Sequence, residues 1–394
     1  MVAEVNALAA KGLKVTLFPT VLRRGNPNRF DFHKNVKVLF FRLISVSGIW
    51  NVIRLAFRDI RLLSRLIKLS LSSSGVGNVL KNLAVLPKSI LISEYARKNH
   101  IEHVHAHWLT ASASLAMMVS LQTGIPWSVT AHRGDIVSFN ALQKKFDSAS
   151  FVRFISWSGV GLAKSRAQLD DNKIKILHMG VKVPSENPPR VARSGSALLT
   201  VLCPANLLQV KGHAVLLQAL SRMKFRDLIR LELAGDGELR QPLEKLANEL
   251  GVGDKVVFRG HVPHDDLMDS YRKAEVSIVV LPSLDLGSGV HEGIPVSLME
   301  AMAWGVPVVS TLTGGIPELL VDDSGVNVGV LVGGGDSLAL AEALDQLIES
   351  PDLRAELGAL GRKRVATEFN QNLVATELVR LMGFVPVELP EATA

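Results

Sequence analysis

HEGIPVSLMEAMAWGVPVVSTLTGGIPE, residues 291–318, decides how the rest of the chain is read. Glu292 and Glu300 stand with seven residues between them. The segment joining them is predicted to open a helix with Glu300 inside its first turn, and Gly314-Gly315 is predicted to turn the chain after a short buried strand. A loop that opens a helix presents backbone N–H groups without intrahelical partners, which suit an anion such as a phosphate. Carboxylates beside it accept hydrogen bonds from hydroxyls. A phosphate together with many hydroxyls describes a nucleotide sugar. Ser297-Leu-Met-Glu300 also has a purely local reading, a capping box with Ser297 as N-cap and Glu300 at the third helical position. That reading leaves Glu292, Gly293, Pro295 and the Gly-Gly turn unaccounted for.

Working outward, Leu199–Cys203, Ile229–Ala234, Lys255–Phe258, Val276–Leu281, Val306–Ser310 and Val328–Val332 read as strands, several as continuous apolar runs. Such runs suit strands buried on both faces of a sheet. Leu239, Leu243, Leu246 and Leu250, and again Leu340, Leu344, Leu347 and Ile348, recur at helical spacing between them. Repeated strand–helix units imply a parallel, doubly wound α/β sheet. The first half repeats the pattern, with strands predicted at Leu13–Phe18, Val36–Phe41, Ile101–His105, Pro126–Thr130, Phe151–Ile155 and Ile174–Leu177. Val183–Ser196, rich in Pro, Ser and Gly, has neither period and reads as the boundary. Two domains are therefore expected, 1–185 and 186–368. A C-terminal helix from Phe369 is expected to pack back on the first. Ligands in such sheets bind at the carboxyl ends of the strands, so a cleft between the domains is the expected site.

Composition bounds the function classes. The chain has 394 residues, 47% apolar and 21% charged, as in ordinary globular proteins. Cys203 is the single cysteine, so no internal disulfide forms, in keeping with a reducing compartment. No secretory signal pattern is read, and the uncharged stretch His103–His132 reads as a helix between two strands. The net charge of +7 conceals a split: Lys11–Lys98 carries 17 Lys/Arg against 3 Asp/Glu, a balance of +14, so the remainder is near −7. RNA and anionic lipid are both partners for such a segment. With 5% aromatic residues and no recognition motif, an RNA-binding module is disfavoured. Arg54, Arg58, Arg61, Arg65 and Lys68 step by 4, 3, 4 and 3 along one helix face, opposite Ile53, Phe57, Ile60, Leu63 and Ile67. This is either a membrane-surface helix or a domain helix with a solvated basic face.

The stretch EGIPVSLMEAMAWGVPVVSTLTGGIPE resembles the retaining glycosyltransferases of family 4, also called group 1, with the two-domain GT-B fold. The flavour within that family is bacterial exopolysaccharide (colanic-acid-type) or lipopolysaccharide synthesis. The resemblance implies that Glu292 contacts the donor sugar's hydroxyls and Glu300 the ribose, with the Gly293, Ile294, Pro295 and Val296 backbone beside sugar and diphosphate. Leu207–Leu220 resembles the segment supplying a diphosphate-binding lysine, here Lys211. The family usually has an arginine five residues earlier, where this chain has Asn206; the change removes a cation and a bidentate donor. Ala234-Gly-Asp-Gly237 resembles a family strand-end loop, and Val257–Val262, with Gly260, His261 and Val262, resembles the segment whose backbone recognises the base. HVHAHW resembles a strand end that points His107 into the cleft. TAHRGDI resembles the family's TAHxxDI, which implies His132 near the reacting centre and Asp135 near the donor. Ser156 and Gly180-Val181 also match family positions.

The expected activity is retaining, metal-independent transfer of a hexose-type sugar from a nucleotide-diphosphate donor to a saccharide or lipid-linked acceptor. No cofactor besides the donor is expected, and no nucleic acid. The expected location is the cytoplasm, at an anionic membrane surface. His105 and His107 share a strand face, but no carboxylate or cysteine accompanies them, so no metal site is expected. The alternative is a non-catalytic sugar-nucleotide or polysaccharide-binding partner with a degenerate site. The family begins with a strand and a Gly- or Ser-rich turn, whereas Met1–Gly12 reads here as the first helix and Leu13–Phe18 as the second strand. A first strand is therefore expected to be missing, through a start lying upstream or a truncated form, the former preferred.

Overall fold

The computed structural model describes residues 1–20, 31–43, 45–186, 198–287 and 290–387. Two compact units emerge, one of residues Met1–His178 with Val374–Ala394, the other of Met179–Leu373. The Val183–Ser196 stretch lies largely outside the described residues.

In the first unit the strands are β1 (Val15–Leu17), β2 (Val36–Val38), β3 (Val104–His107), β4 (Trp127–Ala131), β5 (Phe151–Phe154) and β6 (Ile174–Ile176). β1 and β2 form a two-stranded parallel sheet, and β3-β4-β5-β6 a separate parallel sheet in that order. Among the described residues, the outer edges of β1 and β3 have no sheet partner. Every side chain of β4 and β5 is buried, as continuous apolar strands require. The Gln371–Leu381 helix places Ala375, Leu378 and Val379 in a small core with Ala7, Leu8 and Phe151.

The basic stripe is not on one helix. Asp59 ends one helix, Val46–Arg58, and its carboxylate accepts from the Leu62 N–H to cap the next, Ile60–Leu71. Of the five apolar residues opposite the stripe, Ile53, Phe57, Ile60 and Ile67 are exposed and only Leu63 is buried. The inner face of the first helix is instead the small and polar one, with Gly48 and Asn51 buried. Asn51 donates to Glu94 at 3.4 Å, on the long Val76–Lys98 helix against which both short helices pack.

The second unit holds β7 (Leu199–Pro204), β8 (Ile229–Ala234), β9 (Val256–Gly260), β10 (Ile278–Leu281), β11 (Val308–Thr311) and β12 (Val330–Val332). They form one parallel sheet ordered β12-β11-β10-β7-β8-β9, with helices in the connections. The order reverses between β7 and β10, so the connections after these neighbouring strands diverge and leave a crevice at their carboxyl ends.

Candidate functional site

In the second unit, the chain leaving β7 runs through Asn206 and a tight turn at Gln209–Lys211 into the His213–Arg222 helix. The chain leaving β10 reaches Glu292 and then the Val296–Ala303 helix. Lys211 and Glu292 meet there: Nζ and Oε1 are 2.5 Å apart, with the side chains 20% and 16% exposed. Gly314 explains the Gly-Gly turn. Its φ is +61°, and a Cβ there would lie 1.9 Å from the Glu292 carbonyl oxygen. Any side chain would displace the loop that carries Glu292. Gly235 does the same for the loop after β7, since a Cβ would lie 2.0 Å from the Ala205 carbonyl oxygen.

The capping-box reading of Ser297 and Glu300 is corrected. The helix begins at Val296 with Pro295 as N-cap, so Ser297 lies inside it and Glu300 is its fifth residue, beyond the first turn. Proline cannot cap through its side chain, and its fixed φ suits the entry to a helix. Glu300 is free to take another partner, and its Oε1 lies 2.8 Å from His264 Nε2. Gly293 is half-buried, Ile294 and Pro295 are buried, and Val296 is exposed at the helix start, where the first N–H groups point outward. Asn206 is exposed. Gly260, at φ +65°, sits in a register shift between β8 and β9, followed by an exposed His261 and a half-buried Val262. The structure thus brings Lys211 and Glu292 together in this unit, with Glu300 on the helix that follows.

In the first unit, β3 and β4 end side by side, which joins His107 and His132. Their Nε2 atoms are 3.1 Å apart, so one ring donates and the other accepts. Burial pushes His107 down to about 4 and His132 down to about 3, so both are neutral near pH 7. Glu4 Oε1 lies 3.7 Å from His107 Nδ1, and Glu4 Oε2 accepts from Arg153 at 2.7 Å. Burial works to raise Glu4, but Arg153 and His107 prevail and hold it at about 2. Asp135 Oδ2 accepts from the backbone N–H groups of Leu109 and His132, each at 3.1 Å. It secures the turn that carries His132, and burial raises it to about 6. His105 is held by Ser128 and Thr130 at 2.8 and 2.9 Å. Ser156 caps the Trp157–Lys164 helix. Within the second unit, Gly180 packs against Gln371, and Val181 pairs with the Asn370 segment. Among the described residues, no group of three or more His, Cys, Asp or Glu is placed to hold a metal ion.

Sequence reasoning missed Glu4, Arg153 and His264. Two carried a signal. An arginine inside Phe-Val-Arg-Phe-Ile and an acid inside Val-Ala-Glu-Val are charges on elements that are otherwise apolar, and buried charges need partners. His264 carried none, because its partner is 36 residues away.

Residues 189–364 match the family "Glycosyl transferases group 1". A GDP-mannose-dependent alpha-(1-6)-phosphatidylinositol monomannoside mannosyltransferase of Mycolicibacterium smegmatis is 33% identical over 299 residues, 71% of this chain and 76% of the relative. The chain belongs to the group 1 glycosyltransferases. The putative colanic acid biosynthesis glycosyltransferase WcaL of Escherichia coli K12 is 34% identical over 212 residues, 53% of this chain. That match spans about half (51%) of the relative's length. Among solved structures, Anabaena HepE in complex with UDP and glucose superposes with a TM-score of 0.66 at 17% identity, over 97% of this chain and 95% of that one. This likeness shows the GT-B fold. Within the group 1 match fall Lys211, Glu292, Glu300 and Asn206.

Proposed function

We propose that the chain transfers a sugar, with retention of anomeric configuration, from a nucleoside diphosphate sugar to an acceptor hydroxyl in the synthesis of a cell-surface polysaccharide. The observation that carries this reading is the meeting of Lys211 and Glu292 at the strand-order switch of the second unit, with Glu300 on the adjoining helix. One cation suits a diphosphate, and two carboxylates suit hydroxyls of sugar and ribose. Lys211 and the amides at the start of the Val296–Ala303 helix offset the charge of the leaving diphosphate, a task that needs no metal in this scheme. Glu292 orients the sugar and Glu300 the ribose. Gly260, His261 and Val262 take the base through their backbone.

No carboxylate is assigned as a covalent nucleophile, so displacement proceeds on the front face. The bond from the anomeric carbon to the diphosphate oxygen breaks as the acceptor oxygen bonds that carbon from the same side. The acceptor's proton passes to the leaving phosphate. The acceptor is a saccharide or lipid-linked saccharide, and the protein is cytoplasmic, held peripherally at an anionic membrane.

The second reading, a sugar-nucleotide-binding partner without turnover, is favoured by Asn206, which leaves Lys211 without the arginine the family usually supplies. Proton NMR of reactions with UDP-, GDP- and ADP-linked sugars, run with and without a chelator, separates the two. The transfer reading expects a product of unchanged anomeric configuration that forms in chelator. Binding of a donor without product supports the second reading, and an inverted product contradicts the first.

A further inference from the structure

The two short helices that carry the basic stripe present an apolar ridge to solvent. In the first, Val46, Trp50, Ile53 and Phe57 step by 4, 3 and 4 and are 88%, 59%, 43% and 87% exposed. Arg54 and Arg58 follow along one flank of that ridge, at 100° per residue. The second helix repeats the arrangement. Ile60 and Leu71 are 62% and 54% exposed, and Arg61, Arg65 and Lys68 lie along the same flank. The inner faces of both helices are already used against the Val76–Lys98 helix, so the ridge is additional apolar surface. Contiguous exposed apolar surface rimmed by charge marks an interaction site.

The geometry points to an anionic lipid bilayer as the occupant. Across residues 46–71 the charged side chains are five cations and one acid, Asp59, whose carboxylate is engaged as a helix cap. Long basic side chains beside an apolar ridge place their charged heads at the level of lipid phosphates while the ridge enters the acyl boundary. A second feature has the same chemistry. Arg65 and Lys68 also line an open cavity of about 420 Å³ with Lys144, one carboxylate, Asp147, and Trp127, whose buried indole N–H has no hydrogen-bond partner. Three cations against one carboxylate leave the cavity net positive, which suits a phosphate head group. This inference deepens the membrane association proposed above by naming its surface, and it is independent of which donor is used. Among the described residues no helix is long and apolar enough to cross a membrane, so the contact is interfacial.

Co-sedimentation of the full chain with phosphatidylcholine vesicles, and with vesicles of mixed phosphatidylcholine and phosphatidylglycerol, tests it. The expected result is binding to the mixed vesicles that weakens in high salt. The variant Arg58→Gln/Arg61→Gln/Arg65→Gln should bind about 100-fold more weakly, at about fivefold per charge lost. The variant Trp50→Ser/Phe57→Ser should lose roughly tenfold or more while its salt dependence is kept. Both sets of positions are exposed, so melting temperatures should hold. If the wild type binds and neither variant changes the binding, the surface is overturned and membrane association stands. If the wild type does not bind mixed vesicles, both fall. If a concentration-dependent dimer forms and Trp50→Ser/Phe57→Ser abolishes it, the ridge joins two copies and the lipid assignment is wrong.

Discussion

Glu292 holds Lys211 at 2.5 Å, so removing its carboxylate releases a cation next to the proposed diphosphate position. Glu292→Ala should therefore keep or tighten affinity for the free nucleoside diphosphate while turnover falls. Glu300→Ala should weaken that affinity by roughly 10- to 100-fold, the worth of one charge-assisted hydrogen bond to ribose. Calorimetry with the diphosphate alone distinguishes the two, and equal losses in both variants would contradict the division of roles. Asn206→Arg tests the other side of the clamp. Its side chain is exposed, so an arginine can be accommodated, and binding should tighten by about tenfold or more. Weaker binding in that variant would mean that the diphosphate lies elsewhere, and Lys211 would lose its role too. At this scale legibility depended on sequence distance. Glu292 and Glu300 could be read because they share one short motif. The Glu300–His264 and Glu4–Arg153 contacts could not, because their partners come from distant elements brought together only by the sheets.

Elements were the most legible level. All twelve expected strands occur within a few residues of their expected places, because continuous Val/Ile/Leu runs between helical repeats have one stable solution. Two local readings failed for physical reasons. Ser297 does not cap because Pro295 already starts the helix, so Glu300→Ala should leave the melting temperature nearly unchanged. The basic helix breaks at Asp59 because a carboxylate that caps a new helix competes with continuing the old one. At the carboxyl ends of β3 and β4, acid should destabilise the fold. His107 and His132 are neutral when folded and titrate near 4 and 3, below the ordinary 6.5, so the unfolded chain binds more protons as pH falls below 6.5. Glu4 acts in the same direction at lower pH: its stabilising charge is complete above its ordinary value of 4.5 and is lost as pH falls toward 2. Unfolding free energy should therefore drop between pH 6.5 and 4, by about 1.4 kcal/mol per pH unit for each histidine kept neutral. Chemical denaturation across that range checks it, and a flat profile would contradict the buried neutral pair. Glu4→Ala should cost about 1.5–3 kcal/mol at neutral pH, the worth of one charge-assisted hydrogen bond, since Arg153 keeps its bonds to the Leu177 and His178 carbonyls.

At the scale of the whole molecule, charge and fold divide the work. The +14 segment lies in the first unit, with the helices that expose the apolar ridge, and Lys211, Glu292 and Glu300 lie in the second. In the proposed function the second unit binds a nucleotide sugar through Lys211 and Glu300. Melting temperature in the presence of UDP-, GDP- and ADP-linked sugars tests it most directly. A ligand at about a hundred times its Kd adds about 2.7 kcal/mol to the folded state. One of these donors should therefore raise the melting temperature by several degrees in the wild type, and by much less in Lys211→Ala and Glu300→Ala. A melting temperature unmoved by any of them, or a rise that both variants retain in full, would contradict the account.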